Sequence, residues 1–113
     1  MLPHQFFKLL SDETRVRCLL LIMREECLSV GELTHALQES QPKISRHLAQ
    51  LRSSGMLVDV RQGQWVFYRL SDDLPGWMNK LIEDLVASNC LRTEYLQDIE
   101  RIQAMSNRPV CCV

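Results

Sequence analysis

The sequence predicts a mainly α domain with one small β-hairpin. Three observations predict it. Apolar residues recur at helical spacing in several stretches that open on capping residues. A brief polar turn, Glu39-Ser40, separates two of these stretches. The period then changes to two-residue alternation in "MLVDVRQGQWVFYRL". At 113 residues the chain suits one domain with enough apolar content for a core.

Taken in order, Phe6, Phe7, Leu9 and Leu10 form a short apolar helix pattern that breaks at Ser11-Asp12. Ser11 or Asp12 caps a second helix carrying Val16, Leu19, Leu20 and Met23. Ser29 and Glu32 stand at the capping-box spacing and open a third helix, with Val30, Leu33 and Leu37 on its apolar face. After the Glu39-Ser40 turn, Ser40 fits an N-cap and Pro42 sits in the first turn, where a missing N–H costs nothing. Ile44, Leu48 and Leu51 make the stripe of this fourth helix, and Gly55 stands just past its end. The alternating segment reads as a hairpin turning at Gln62-Gly63-Gln64. From Pro75 a helix runs through Trp77, Leu81, Leu85 and Val86; a new stripe, Leu91, Tyr95, Ile99, Ile102 and Met105, follows a phase slip near Cys90. That pattern fits two helices or one broken helix. Two short helices, a tight turn and a following hairpin make a winged helix-turn-helix.

The formal charge of −1 conceals an uneven distribution. Residues 41–70 hold Lys43, Arg46, Arg52, Arg61 and Arg69 against Asp59 alone, while both flanks are acidic. A basic island of this kind is the footprint of a polyanion site. Ser40, Gln41, Lys43, Ser45, Arg46 and His47 cluster at the start of the fourth helix, where a recognition helix enters the major groove. Gln can read adenine edges, Arg can fork onto guanine, and Lys and Ser can hold phosphates. Arg61, Gln62 and Gln64 at the hairpin tip would reach the flanking backbone or minor groove. Each residue alone could be no more than a solvated helix face; the set, on this order of elements, points to double-stranded DNA.

The stretches "FFKLLSDETRVRCLLL", "SQPKISRHLAQLRSSGML" and "RQGQWVFYRLS" resemble the ArsR/SmtB family of winged-helix metalloregulatory repressors, in its arsenic-responsive branch. The resemblance covers about residues 4–82. It implies a homodimer formed through the first and last helices, operator DNA as partner, and release when a soft ion binds; it implies no enzymatic activity. It also implies sensing thiols in the helix before the turn, in a C-x-C-x-x-C-like run. Those positions fall here on Ser29, Gly31 and Thr34, none of them a thiol. The zinc branch uses Asp and His on the late helix, but the histidines of this chain are His4, His35 and His47.

Either the sensor is lost or it has moved, and the chain ends in "RPVCCV", which reads as a loose tail with inert thiols or as a relocated site. Neighbouring Cα atoms lie ~3.8 Å apart, short of the ~4.4–6.8 Å usual for a disulfide, so Cys111 and Cys112 would bridge each other only with strain. The adjacent sulfurs suit one thiophilic ion. Inorganic trivalent arsenic or antimony prefers three sulfurs, and Cys90 is the expected third. A helix over residues 91–105 spans ~22 Å and an extended tail from Ser106 to Cys111 at most ~20 Å, so return to Cys90 within one chain is marginal and Cys90 of the partner protomer serves at least as well. Methylated trivalent arsenic would need the Cys111–Cys112 pair alone. Cys18 and Cys27 read as structural.

These readings give residues 1–106 as the DNA-binding and dimerisation domain and 107–113 as a flexible cysteine-bearing tail. The expected function is a metalloid-responsive repressor with trivalent arsenic or antimony as inducer and no permanent cofactor. The alternative in the same fold is a thiol-redox or sulfide sensor pairing Cys18 or Cys27 with Cys90. A metal-handling chaperone or enzyme, suggested by the vicinal pair, lacks a nucleotide-binding glycine loop and a C-x-x-C. Five cysteines, an odd number, favour reduced thiols. The longest apolar run, residues 19–23, is far too short to cross a bilayer, and the N-terminus lacks a secretion pattern. The expectation is a cytoplasmic protein with no membrane partner.

Overall fold

The computed structural model describes residues 1–88, 90 and 92–111. Its elements follow the order α1 (Pro3–Leu9), α2 (Glu13–Glu25), β1 (Leu28–Ser29), α3 (Val30–Leu37), α4 (Gln41–Ser53), β2 (Leu57–Gln62), β3 (Trp65–Leu70), α5 (Gly76–Ala87) and α6 (Arg92–Ala104). The late apolar stretch is thus two helices.

Local chemistry sets most boundaries. Of the two residues that could cap α2, Asp12 does so, its Oδ1 accepting the Arg15 N–H at 3.1 Å. The capping box at α3 is complete: Ser29 Oγ accepts from Glu32 N, and Glu32 Oε1 accepts from Ser29 N. α4 ends in a Schellman motif. Gly55 takes φ +91°, its N–H donates to Arg52 O at 3.0 Å, and Met56 N–H donates to Leu51 O at 3.1 Å. Met56 and Leu51 are both fully buried, supplying the apolar contact that accompanies this cap.

β2 and β3 pair antiparallel from Leu57↔Leu70 to Gln62↔Trp65, leaving Gly63-Gln64 as a two-residue turn with Gly63 at φ +60°. A positive φ at the first turn position matches the strand twist and suits glycine. The sheet has a third member absent from the sequence reading. β1 pairs with β3 through Leu28↔Tyr68 and Ser29↔Phe67, giving the order β1-β3-β2. Two residues are too few to show a period, so this strand exists only through its partner.

The core is one cluster. Leu19, Leu20, Leu21 and Ile22 of α2 pack with Leu33 and Leu37 of α3, Ile44, Leu48 and Leu51 of α4, Met78 and Ile82 of α5, and Ile102 of α6. A central α2 therefore supports the helix-turn-helix on one side and the two late helices on another. Among the described residues no helix is long and apolar enough to cross a membrane.

Candidate nucleic-acid interface and thiol site

α4 begins on Ser40, whose Oγ accepts the Lys43 N–H at 3.4 Å. With Ile44, Leu48 and Leu51 in the core, the opposite face presents Gln41 and Arg46, both exposed, with Lys43 and Ser45 half-buried beside them. Gln41 Nε2 donates to Ser45 Oγ at 3.3 Å, and Lys43 Nζ lies 3.2 Å from Glu39 Oε2. These contacts hold two polar side chains over the first turns of the helix. On the hairpin, Asp59 lies 3.7 Å from both Arg52 and Arg61, which links the end of α4 to the wing. Arg61 and Gln64 are exposed at the wing tip, Gln62 is half-buried, and Trp65 is exposed beside them.

His47 does not join this face. It is 7% exposed, with its Nδ1 3.5 Å from Arg15 Nη1 and its Nε2 3.9 Å from Asp12 Oδ1. Its position three residues after Ile44 and four before Leu51 places it on the packed side of α4, a phase legible in the sequence. Arg15 is the hub of this contact. Its Nε donates to Leu9 O at 2.7 Å and its Nη1 to Gln50 Oε1 at 2.8 Å, so one guanidinium joins the end of α1 to α4.

Burial pushes the His47 pKa below its ordinary 6.5; Asp12 opposes this, while Arg15, Arg46 and Lys43 add to it. The folded state then binds fewer protons than the unfolded one at mildly acid pH. Stability is complete above pH 6.5 and falls as pH drops through 6.5 toward the lowered folded value. Urea unfolding followed between about pH 5 and pH 7 should show this fall, and His47→Gln should flatten it. An unchanged slope in the variant would remove His47 as its source.

The thiols are arranged differently from the sequence reading. Cys27 and Cys111 form a disulfide, with Cα atoms 6.4 Å apart across 84 residues of chain. Cys27 is therefore a bridged cysteine rather than a reduced core thiol, and the expectation of reduced thiols throughout is corrected. Cys90 is exposed and free, its backbone N–H donating to Ser88 Oγ at 3.2 Å. The pairing of Cys18 or Cys27 with Cys90 is replaced by Cys27 with Cys111. Cys18 is fully buried and free, and burial pushes its thiol up to about 12, which makes it a core residue with little thiolate. Cys112 lies outside the described residues. Among those described, no group of three or more His, Cys, Asp or Glu is placed to hold a metal ion.

The tail, expected to be flexible, lies against the body as far as it is described. Arg108 Nε donates to Glu32 Oε2 at 2.6 Å and Nη2 to Glu25 Oε1 at 3.2 Å. Pro109 and Cys111 are half-buried. No sequence signal shows that residues 105–111 double back to α3.

Residues 12–58, from the cap of α2 to the start of β2, match the family profile "Bacterial regulatory protein, arsR family". The chain is 51% identical to the arsenic resistance transcriptional regulator ArsR2 of Pseudomonas putida, over 97% of each chain. The chain belongs to the ArsR family. It is also 50% identical to the arsenical resistance operon repressor of Escherichia coli, over 95% of this chain and 89% of that one. Among solved structures, HlyU of Vibrio cholerae superposes with a TM-score of 0.68 at 35% identity, over 76% of this chain and 89% of that one. The AntR antimony-specific transcriptional repressor does so with a TM-score of 0.63 at 27% identity, over 81% of this chain and 78% of that one.

This ArsR-family chain is accordingly a winged helix-turn-helix transcription regulator and not an enzyme. The position where the family resemblance first places a thiol, Ser29, has another task here. It caps α3 and belongs to β1, so its hydroxyl and backbone are both committed to the fold.

Proposed function

We propose that this protein is a homodimeric repressor that binds operator DNA and is released when trivalent arsenic or antimony engages thiols of its C-terminal segment. The observation that carries the reading is its likeness to named arsenic-resistance regulators along nearly the whole chain. Ser40, Gln41, Lys43, Ser45 and Arg46 of α4 contact the major groove, and Arg61, Gln62 and Gln64 of the wing contact the flanking backbone. His47 positions α4 against α2. Cys111 and Cys112 are the tail thiols of the site, with Cys90 the third thiol expected for an inorganic ion. The dimer forms through α1 and the late helices, where Phe7 and Trp77 are exposed with ring centroids 6.1 Å apart and Leu96 is exposed on α6.

Fluorescence anisotropy of the reduced protein on its own upstream DNA tests this reading. Tight binding, followed by release on adding arsenite or methylated trivalent arsenic, is the expected result. Binding with no release by either compound would overturn the inducer assignment. In the same assay Arg61→Ala should weaken binding similarly on all sequences and reduce the slope of log K against log salt by about 0.9.

The Cys27–Cys111 bridge favours a second reading, release by thiol oxidation. It predicts that a small-molecule disulfide frees the DNA with no metalloid present, and that Cys27→Ser is insensitive to it.

A further inference from the structure

The segment after α6 is fastened to the start of α3 at two points. Arg108 reaches Glu32 and Glu25, and three residues later Cys111 meets Cys27. Glu32 is 2% exposed and uses its two oxygens differently. Oε1 accepts the Ser29 N–H at 2.9 Å and completes the cap of α3, while Oε2 accepts from Arg108 at 2.6 Å. Cys27, buried, sits directly before β1. One carboxylate therefore joins the tail to the helix that leads into α4.

We propose that Cys27 and Cys111 of a single protomer, once reduced, form a two-sulfur site for a trivalent thiophilic ion, with Arg108, Glu32 and Glu25 clasping the tail in ligating position. This rests on the metalloid-responsive reading above and revises its thiols: Cys111 takes Cys27 of the body as its partner in place of Cys112, and a two-sulfur site needs no Cys90. A small dithiol reductant opens the bridge; two electrons and two protons pass to the sulfurs, and the reductant closes to its own disulfide. A trivalent arsenic hydroxide then exchanges two hydroxyls. Each thiol proton leaves with one hydroxide as water, two As–S bonds form, and arsenic keeps its oxidation state. A monomethyl trivalent arsenical makes the same exchange and is saturated by two sulfurs and its carbon. Thiolates are the ligands such soft ions prefer, and two thiols already brought together by the fold bind as a chelate rather than as separate groups. Through Glu32, occupancy of the site is linked to the cap of α3 and so to the base of the helix-turn-helix.

The test titrates the reduced full-length protein, without DNA, with monomethyl trivalent arsenic. Intact-mass spectrometry reads stoichiometry, calorimetry reads affinity, and iodoacetamide labelling with peptide mapping reads which thiols become protected. One arsenic per chain is expected, with Cys27 and Cys111 protected and Cys90 alkylated. Cys27→Ser and Cys111→Ser should each weaken binding about 100-fold through loss of chelation. Arg108→Gln should weaken it about 10-fold, the low end for a hydrogen bond to a charged group, and Cys90→Ser should leave it unchanged. Protection of Cys90 in place of Cys27, or full affinity in Cys27→Ser, would overturn the site. Because Cys27 is buried, its labelling is compared with that of the reduced protein without arsenic, and this comparison on the unaltered protein stands whether or not the Cys27 variant folds. Binding at Cys27 and Cys111 with no release of operator DNA would sustain the site and sink the repressor reading. Release with Cys27 still open to alkylation would do the reverse.

Discussion

Asp98→Ala should cost about 3–5 kcal/mol of stability, the range for removing one partner of a buried ion pair. Asp98 lies on α6 with no exposed surface. Arg17 of α2 grips it with two bonds, Nε to Oδ2 at 2.9 Å and Nη2 to Oδ1 at 2.6 Å, and Arg101 adds a third at 3.3 Å. The bond to Asp98 also raises the Arg17 pKa, so the guanidinium stays charged at any pH where the fold survives. Arg101 in turn donates to Ala36 O at 2.8 Å, which carries the network into α3. Domains of this kind are stable by about 5–15 kcal/mol in all, so the loss is a large share of the total. Urea denaturation reads it. The double variant Arg17→Ala/Asp98→Ala should cost less than the two single changes added, since much of each single cost is a charge left without its partner. Strict additivity would mean the pair contributes nothing as a pair.

On operator DNA, Gln41→Ala and Arg46→Ala should each weaken specific binding by about 1–3 kcal/mol while barely altering the urea midpoint. Both side chains are exposed on the face of α4 opposite its apolar stripe, so truncation leaves no cavity. Their loss should be greater on the operator than on unrelated DNA, because they are proposed to touch base edges. That separates them from Arg61, whose effect should be alike on both. Anisotropy on operator and scrambled duplexes at one salt concentration makes the comparison. Equal weakening on the two duplexes would demote Gln41 and Arg46 to phosphate contacts.

Much of the fold was legible because its signals are local. Ser29 and Glu32, Ser40 and Pro42, Gly55 and Gly63 each act on backbone within a few residues of themselves, and the structure finds each in the predicted role. The polar face of α4 was legible for the same reason, apart from His47. That residue follows polar neighbours in the sequence, but its spacing from Ile44 and Leu51 sets it on the buried side. β1 was not legible, since a two-residue strand is defined by Tyr68 and Phe67 across from it rather than by its own pattern.

By itself the sequence determined a mainly α chain with a helix-turn-helix, a wing and a basic face, because helix periods, caps and turn glycines are properties of neighbouring residues. Only the tertiary structure decided which thiol Cys111 meets, where the tail docks and which charges the core encloses. Those outcomes join Cys27 to Cys111, Glu32 to Arg108 and Arg17 to Asp98 across most of the chain. Contacts at such separations follow from how completed helices pack, and no local pattern of residues encodes them.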